Sequence, residues 1–251
     1  PDLVILDDEQ QLLGLIRHPK TPEEWSFQYR HATRYLARLQ ALEALVAQQT
    51  PISAQILAES LRDSSWAIRQ RAIEYLNERA EPLPDSLVNQ LSQMARQDPK
   101  SWVRASAVEA LSSQAPGAKT SALLYDALSD PAYSVLSEAL FAISQLPTPD
   151  PETLEQLMSR YETTNSPEVR TVVARYYLDT RNVSKAKWLG QQIRQGQGLT
   201  NYELIRQYGE YLLEAPPQIQ STGIDVLVEF IREKRHDWLK ICRLSGPSSI
   251  T

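Results

Sequence analysis

Apolar residues recur at helical spacing along almost the whole chain after Thr21, in i, i+4, i+8 sets that turn one face of each helix toward a core. Strand-like runs are confined to the start, where residues 3–6 and 12–16 flank the acidic turn Asp7-Asp8-Glu9. These predict a short β-hairpin over residues 1–20. A lone hairpin is marginal in water, and the chain opens Pro1-Asp2-Leu3 without an initiator methionine, so this segment is expected to be the edge of a sheet in a preceding domain. Thr21-Pro22-Glu23-Glu24 then opens a helix: Thr21 can cap, Pro22 suits the first helical position and Glu24 can close a capping box. No breaker follows before Gln49, which predicts one long helix with Trp25, Tyr29, Leu36, Leu39 and Leu42 buried.

The strongest signal is a repeat. Asp63-Ser64-Ser65-Trp66-Ala67-Ile68-Arg69-Gln70-Arg71-Ala72 runs parallel to Asp98-Pro99-Lys100-Ser101-Trp102-Val103-Arg104-Ala105-Ser106-Ala107, with Leu76 and Leu111 still in phase. Further copies run through Asp130-Pro131 with Val135, Ala139 and Ile143, through Val169, Val173 and Tyr177, and upstream through Ala37, Ala41 and Leu45. The anchors Ala41, Ala72, Ala107, Ala139 and Val173 are 31, 35, 32 and 34 residues apart. A small middle residue lets two helix axes approach closely, and Asp-Pro at 98–99 and 130–131 is expected to supply an N-cap and a first helical residue. Partner helices are predicted over 53–61, 84–96, 120–128 and 151–161, and less regular ones over 202–213 and 218–233. Residues 245–251 read as a flexible tail. The fold class is all-α, an α-α superhelix of helical hairpins over residues 21–244.

The pattern D-x-x-x-x-V-R-x-x-A-x-x-x-L resembles the second helix of a HEAT repeat. Tetratricopeptide hairpins place their aromatic and small residues elsewhere, and ankyrin would show T-P-L-H. Asp63 with Arg69 and Asp98 with Arg104 fill the acidic and basic positions. Leu136 stands where the third copy should have arginine, so a ladder of Asp and Arg contacts between neighbouring repeats is expected to stop there.

Charge and composition narrow the chemistry. A net charge of −5 lacks the basic footprint that phosphate backbones require, so nucleic acid is not an expected partner. No apolar run approaches the roughly 20 residues of a membrane span, and none is expected. His18, His31 and His236 are far apart without H-E-x-x-H, Cys242 is alone among apolar neighbours, and neither a nucleophile elbow nor a phosphate loop is present. No cofactor or catalytic residue is therefore expected in this chain, and one cysteine leaves the compartment open. Two surfaces stand out. Arg30, His31 and Arg34 could face a peptide carboxylate, against the commoner outcome of a solvated helix face. Arg175, Tyr176, Arg206 and Tyr208 form a candidate interface, although tyrosines in such helices often bury the ring and wet only the hydroxyl.

Leu3-Val4-Ile5-Leu6-Asp7, then Pro22-Glu23-Glu24-Trp25 with Gln28, Tyr29 and Ala32, then Arg38 with Ala41-Leu42-Glu43-Ala44-Leu45, resemble the join between the small β-domain and the helical C-terminal domain of the aminopeptidase N family of zinc metallopeptidases. That resemblance implies a helical domain closing over a catalytic cleft and limiting peptide access, with zinc held by an upstream domain of the same polypeptide and a peptide as substrate. Two alternatives stay open. An independent HEAT scaffold would bind a protein or peptide on its concave face, and a HEAT-type DNA glycosylase would need a basic groove.

Overall fold

The computed structural model describes residues 3–6, 11, 19–147, 149–196 and 199–244. Among them all regular structure is helical. The first eight helices are α1 Pro22–His31, α2 Tyr35–Gln48, α3 Pro51–Ser60, α4 Trp66–Asn77, α5 Asp85–Gln97, α6 Ser101–Gln114, α7 Ala118–Ala127 and α8 Tyr133–Ser144. They are followed by α9 Pro151–Ser159, α10 Pro167–Asp179, α11 Ala186–Gln195, α12 Leu199–Glu214 and α13 Pro217–Leu244, with a 3-10 turn Val183–Lys185 before α11. The chain forms two compact units, Pro1–Ile143 and Ser144–Thr251.

The repeat anchors form the core of each hairpin. Ala37-Ala41-Leu45, Ile68-Ala72-Leu76, Val103-Ala107-Leu111, Val135-Ala139-Ile143 and Val169-Val173-Tyr177 are all 3% exposed or less. The i, i+4, i+8 reading thus places the buried face of every second helix. The Thr21 box closes as expected, the Thr21 amide donating to Glu24 Oε2 at 2.7 Å and the Glu24 amide to Thr21 Oγ1 at 3.3 Å.

Several expectations need correction. Residues 3–6 carry no strand, and residues 12–16 and 245–251 lie outside the described residues. The long helix over 21–49 is two helices, α1 and α2, broken at Ala32-Thr33-Arg34 without glycine or proline. Tertiary hydrogen bonds make that break. The fully buried Gln28 side chain donates to the Ala37 carbonyl at 2.8 Å, and Arg38 Nη1 donates to the Thr33 carbonyl at 2.9 Å. Arg69, Arg104 and Arg170 likewise donate Nη1 to the carbonyls of Asp63, Asp98 and Thr164, at 2.9, 2.8 and 2.6 Å. The repeat arginine therefore ties down the turn that precedes its own helix. Asp98 and Asp130 are not helix N-caps either: Asp98 closes α5 and accepts the Lys100 amide at 2.9 Å, and Asp130 accepts the Ala132 amide at 2.8 Å, so each stiffens the hairpin turn one step earlier.

Candidate interaction surface

The turn edge of unit Pro1–Ile143 carries the expected ladder. Arg38 Nε donates to Asp63 Oδ2 at 3.0 Å, Arg69 Nε to Asp98 Oδ2 at 2.7 Å and Arg104 Nε to Asp130 Oδ2 at 2.8 Å, each with a second bond from Nη2 to Oδ1. These forks are bidentate and largely shielded from water, with aspartate side chains 6%, 5% and 13% exposed. Burial raises the Asp63 and Asp130 carboxyls, but the arginine forks and the turn amides outweigh it and hold both below the usual range. Tyr29 adds its hydroxyl to Asp63 at 3.0 Å, and burial pushes that phenol up. Leu136, where the next arginine would stand, is buried, so this repeat contributes an apolar side chain instead.

Trp66 and Trp102 stand in the first turns of α4 and α6, one position out of register in the two aligned repeat copies. Trp66 lies three residues after its aspartate and Trp102 four. Their rings meet edge to face, centroids 5.3 Å apart at 72°, and the Lys100 ammonium lies 4.7 Å from each ring centre.

The Arg30, His31 and Arg34 group does not share one helix. Arg30 and His31 end α1, while Arg34 precedes α2. Arg30 is engaged with Glu59 through bonds of 3.0 and 2.8 Å, and His31 lies against Phe27, ring centroids 4.1 Å apart. The second group divides similarly. Tyr176 and Tyr208 are core side chains, 8% and 2% exposed, with Tyr208 stacked on Tyr211. Arg206 is exposed and bonded to Glu203 and Glu210 of its own helix, and the buried Nε of Arg175 has no hydrogen-bond partner among the described residues.

Another set was not singled out by sequence reasoning. Asn77 Nδ2 donates to Glu109 Oε1 at 3.3 Å, and Ser113 Oγ donates to Asn77 Oδ1, joining α4 to α6. Burial, and then the like charge of Glu109, push the Glu138 carboxyl on α8 up to about 7. Phe141, one turn further on α8, is 41% exposed. The one available signal was Glu138 falling on a helix otherwise rich in apolar residues. A groove of about 610 Å³ lies between the α2–α3 turn and the end of α4, lined by Val46, Ala54 and Leu57 on one side and Tyr75, Arg79 and Glu81 on the other. Among the described residues no group of three or more His, Cys, Asp or Glu could hold a metal ion. The side chains of His18, His236 and Cys242 lie outside them.

A sequence model of HEAT repeats matches residues 25–112 and 88–177, together more than half of the chain. The chain belongs to the HEAT-repeat family. None of the curated proteins matches it. Among solved structures, Escherichia coli YibA aligns over 85% of this HEAT chain and 99% of its own at 16% identity and a TM-score of 0.45. Human deoxyhypusine hydroxylase, solved in complex with glycerol, aligns over 84% and 96% at 13% identity and 0.42. At those scores neither likeness bears on what this chain does. The aminopeptidase N resemblance is overturned by the family match: residues 25–45, which carried most of it, are the first HEAT hairpin, with Arg38 and Ala41 in repeat register. With it goes the expectation of an upstream zinc peptidase domain.

Proposed function

We propose that the chain is a HEAT scaffold that binds a protein or peptide across the outward face of its second helices. The observation that carries this reading is the register of α2, α4, α6 and α8: each buries the same i, i+4, i+8 stripe, so the opposite positions of successive helices recur on one side. That side holds the exposed Glu109, Ser113 and Phe141, a carboxylate and an aromatic that suit a partner with basic and apolar side chains. The test is capture. The immobilised chain should retain a partner from an extract of its own cells, and the double variant Glu109→Lys with Phe141→Ser should retain about tenfold less, a loss of about 1.4 kcal/mol, at an unchanged melting midpoint. Equal capture by both proteins, or none by either, would remove the reading.

A further inference from the structure

The turn edge of unit Pro1–Ile143 carries a second surface, distinct from the outward face of the second helices. Tyr35, Trp66, Trp102 and Tyr133 are 38%, 38%, 51% and 49% exposed, and each stands in the first turn of α2, α4, α6 or α8. Exposed aromatics in such a row are unusual, since each leaves a large apolar face in water, and aromatic residues are enriched where proteins meet.

Charge distinguishes this row from an ordinary apolar patch. Five carboxylates lie along the same edge, and each is already matched: Glu59 by Arg30, Asp63 by Arg38, Asp98 by Arg69, Asp126 by Arg96 and Asp130 by Arg104. Lys100 and Arg62 remain, and among the described residues no carboxylate pairs with either. The edge therefore has a surplus of positive charge on a chain whose net charge is −5.

We propose that this edge is a docking strip for an extended acidic segment of another protein, carrying aromatic or proline side chains among its carboxylates. The apolar side chains would sit on the Trp66–Trp102 pair, and the carboxylates would meet Lys100 and Arg62. Four aromatics on consecutive second helices span three helix spacings of about 9 Å, or about 27 Å, which eight or so residues cover at about 3.3 Å each. A partner helix of the same residue count would reach less than half as far. Single-stranded nucleic acid fits less well: the indoles meet edge to face, so they offer no pair of parallel faces for stacked bases, and two surplus cations are few for a phosphate backbone.

The proposal rests on the scaffold reading but on different side chains, so the two fail separately. The probes are a peptide of about twelve residues built from Glu-Phe-Pro repeats, its Lys-Phe-Pro counterpart, and an oligothymidylate, titrated into the full chain by calorimetry. The acidic peptide should bind at least about tenfold more tightly than the basic one, and should weaken as salt rises from about 50 to about 300 mM. Trp102→Ala and Lys100→Glu should each cost it about tenfold or more with an unchanged melting midpoint, Trp102→Phe should retain binding, and Phe141→Ser should leave it unaltered. Equal affinity for both peptides, preference for the oligothymidylate, undiminished binding in the Trp102 and Lys100 variants, or no binding of the acidic peptide would overturn the proposal. Loss of binding in Phe141→Ser alone would overturn it while supporting the outward face as the binding surface.

Discussion

Glu138 is a carboxylate that burial and Glu109 push up to about 7. A carboxyl whose folded value exceeds its unfolded one holds its proton more tightly in the folded state. Its contribution to stability is therefore complete below the ordinary carboxylate range, declines as pH rises toward about 7, and is lost above. Glu138→Gln keeps the shape and removes the charge. It should match the parent protein at about pH 4 and exceed it at about pH 8 by on the order of 1–3 kcal/mol, read from thermal or urea unfolding at both pH values. Because burial is the larger cause, Glu109→Gln should recover only the smaller part of that gain. A Glu138→Gln protein more stable by the same amount at both pH values would assign the effect to packing. Such a group is hard to read from sequence, since Glu138 differs from any exposed helical glutamate only through its burial and the Glu109 carboxylate that α6 brings near it. The repeat anchors are the opposite case: Ala72 and Ala107 report their burial in their own spacing, because a fixed period fixes the face.

At the scale of the element, helix type was legible and helix ends less so. The break between α1 and α2 is made by Gln28, bonded to the Ala37 carbonyl in α2, and Arg38, bonded to the Thr33 carbonyl in the turn, in place of a proline or glycine. The signal was present, since Arg38 precedes Ala41 as Arg69 precedes Ala72, but it is visible only once arginine is understood to hold the turn as well as the next repeat. Two glycines inside helices of the second unit give a paired test. Gly209 in α12 has nothing within 4 Å of where a Cβ would stand, so Gly209→Ala should stabilise by about 0.5–1 kcal/mol through helix propensity and a less flexible unfolded chain. Gly223 in α13 would place its Cβ at 2.3, 2.7 and 3.0 Å from three atoms of the Leu212 side chain, which is 4% exposed. Leucine 212 must therefore move, and overpacking of about 1–3 kcal/mol should outweigh the same propensity gain, so Gly223→Ala should lower the midpoint. If both substitutions raise it, α12 and α13 pack more loosely than described.

For the whole molecule, a repeat stack is stabilised by intrinsic hairpin terms plus nearest-neighbour terms, and the Arg–Asp forks are neighbour terms concentrated in one unit. Arg38–Asp63, Arg69–Asp98 and Arg104–Asp130 all belong to Pro1–Ile143, and the run stops at Leu136. Removing one partner of a shielded pair strands the other: Arg69→Leu leaves the Asp98 carboxylate without its fork and should cost about 3–5 kcal/mol. The double variant Arg69→Leu with Asp98→Asn should cost less than the sum of the two single changes, since it removes the stranded charge while asparagine can still accept the Lys100 amide. Each unit has its own buried set, so unfolding is expected in two transitions rather than one. Arg69→Leu should then lower only the transition of the first unit, and Gly223→Ala only that of the second. Differential scanning calorimetry of the full chain reads both at once. A single transition displaced equally by either substitution would mean that the stack folds as one cooperative body, with the ladder's contribution shared across all of its helices.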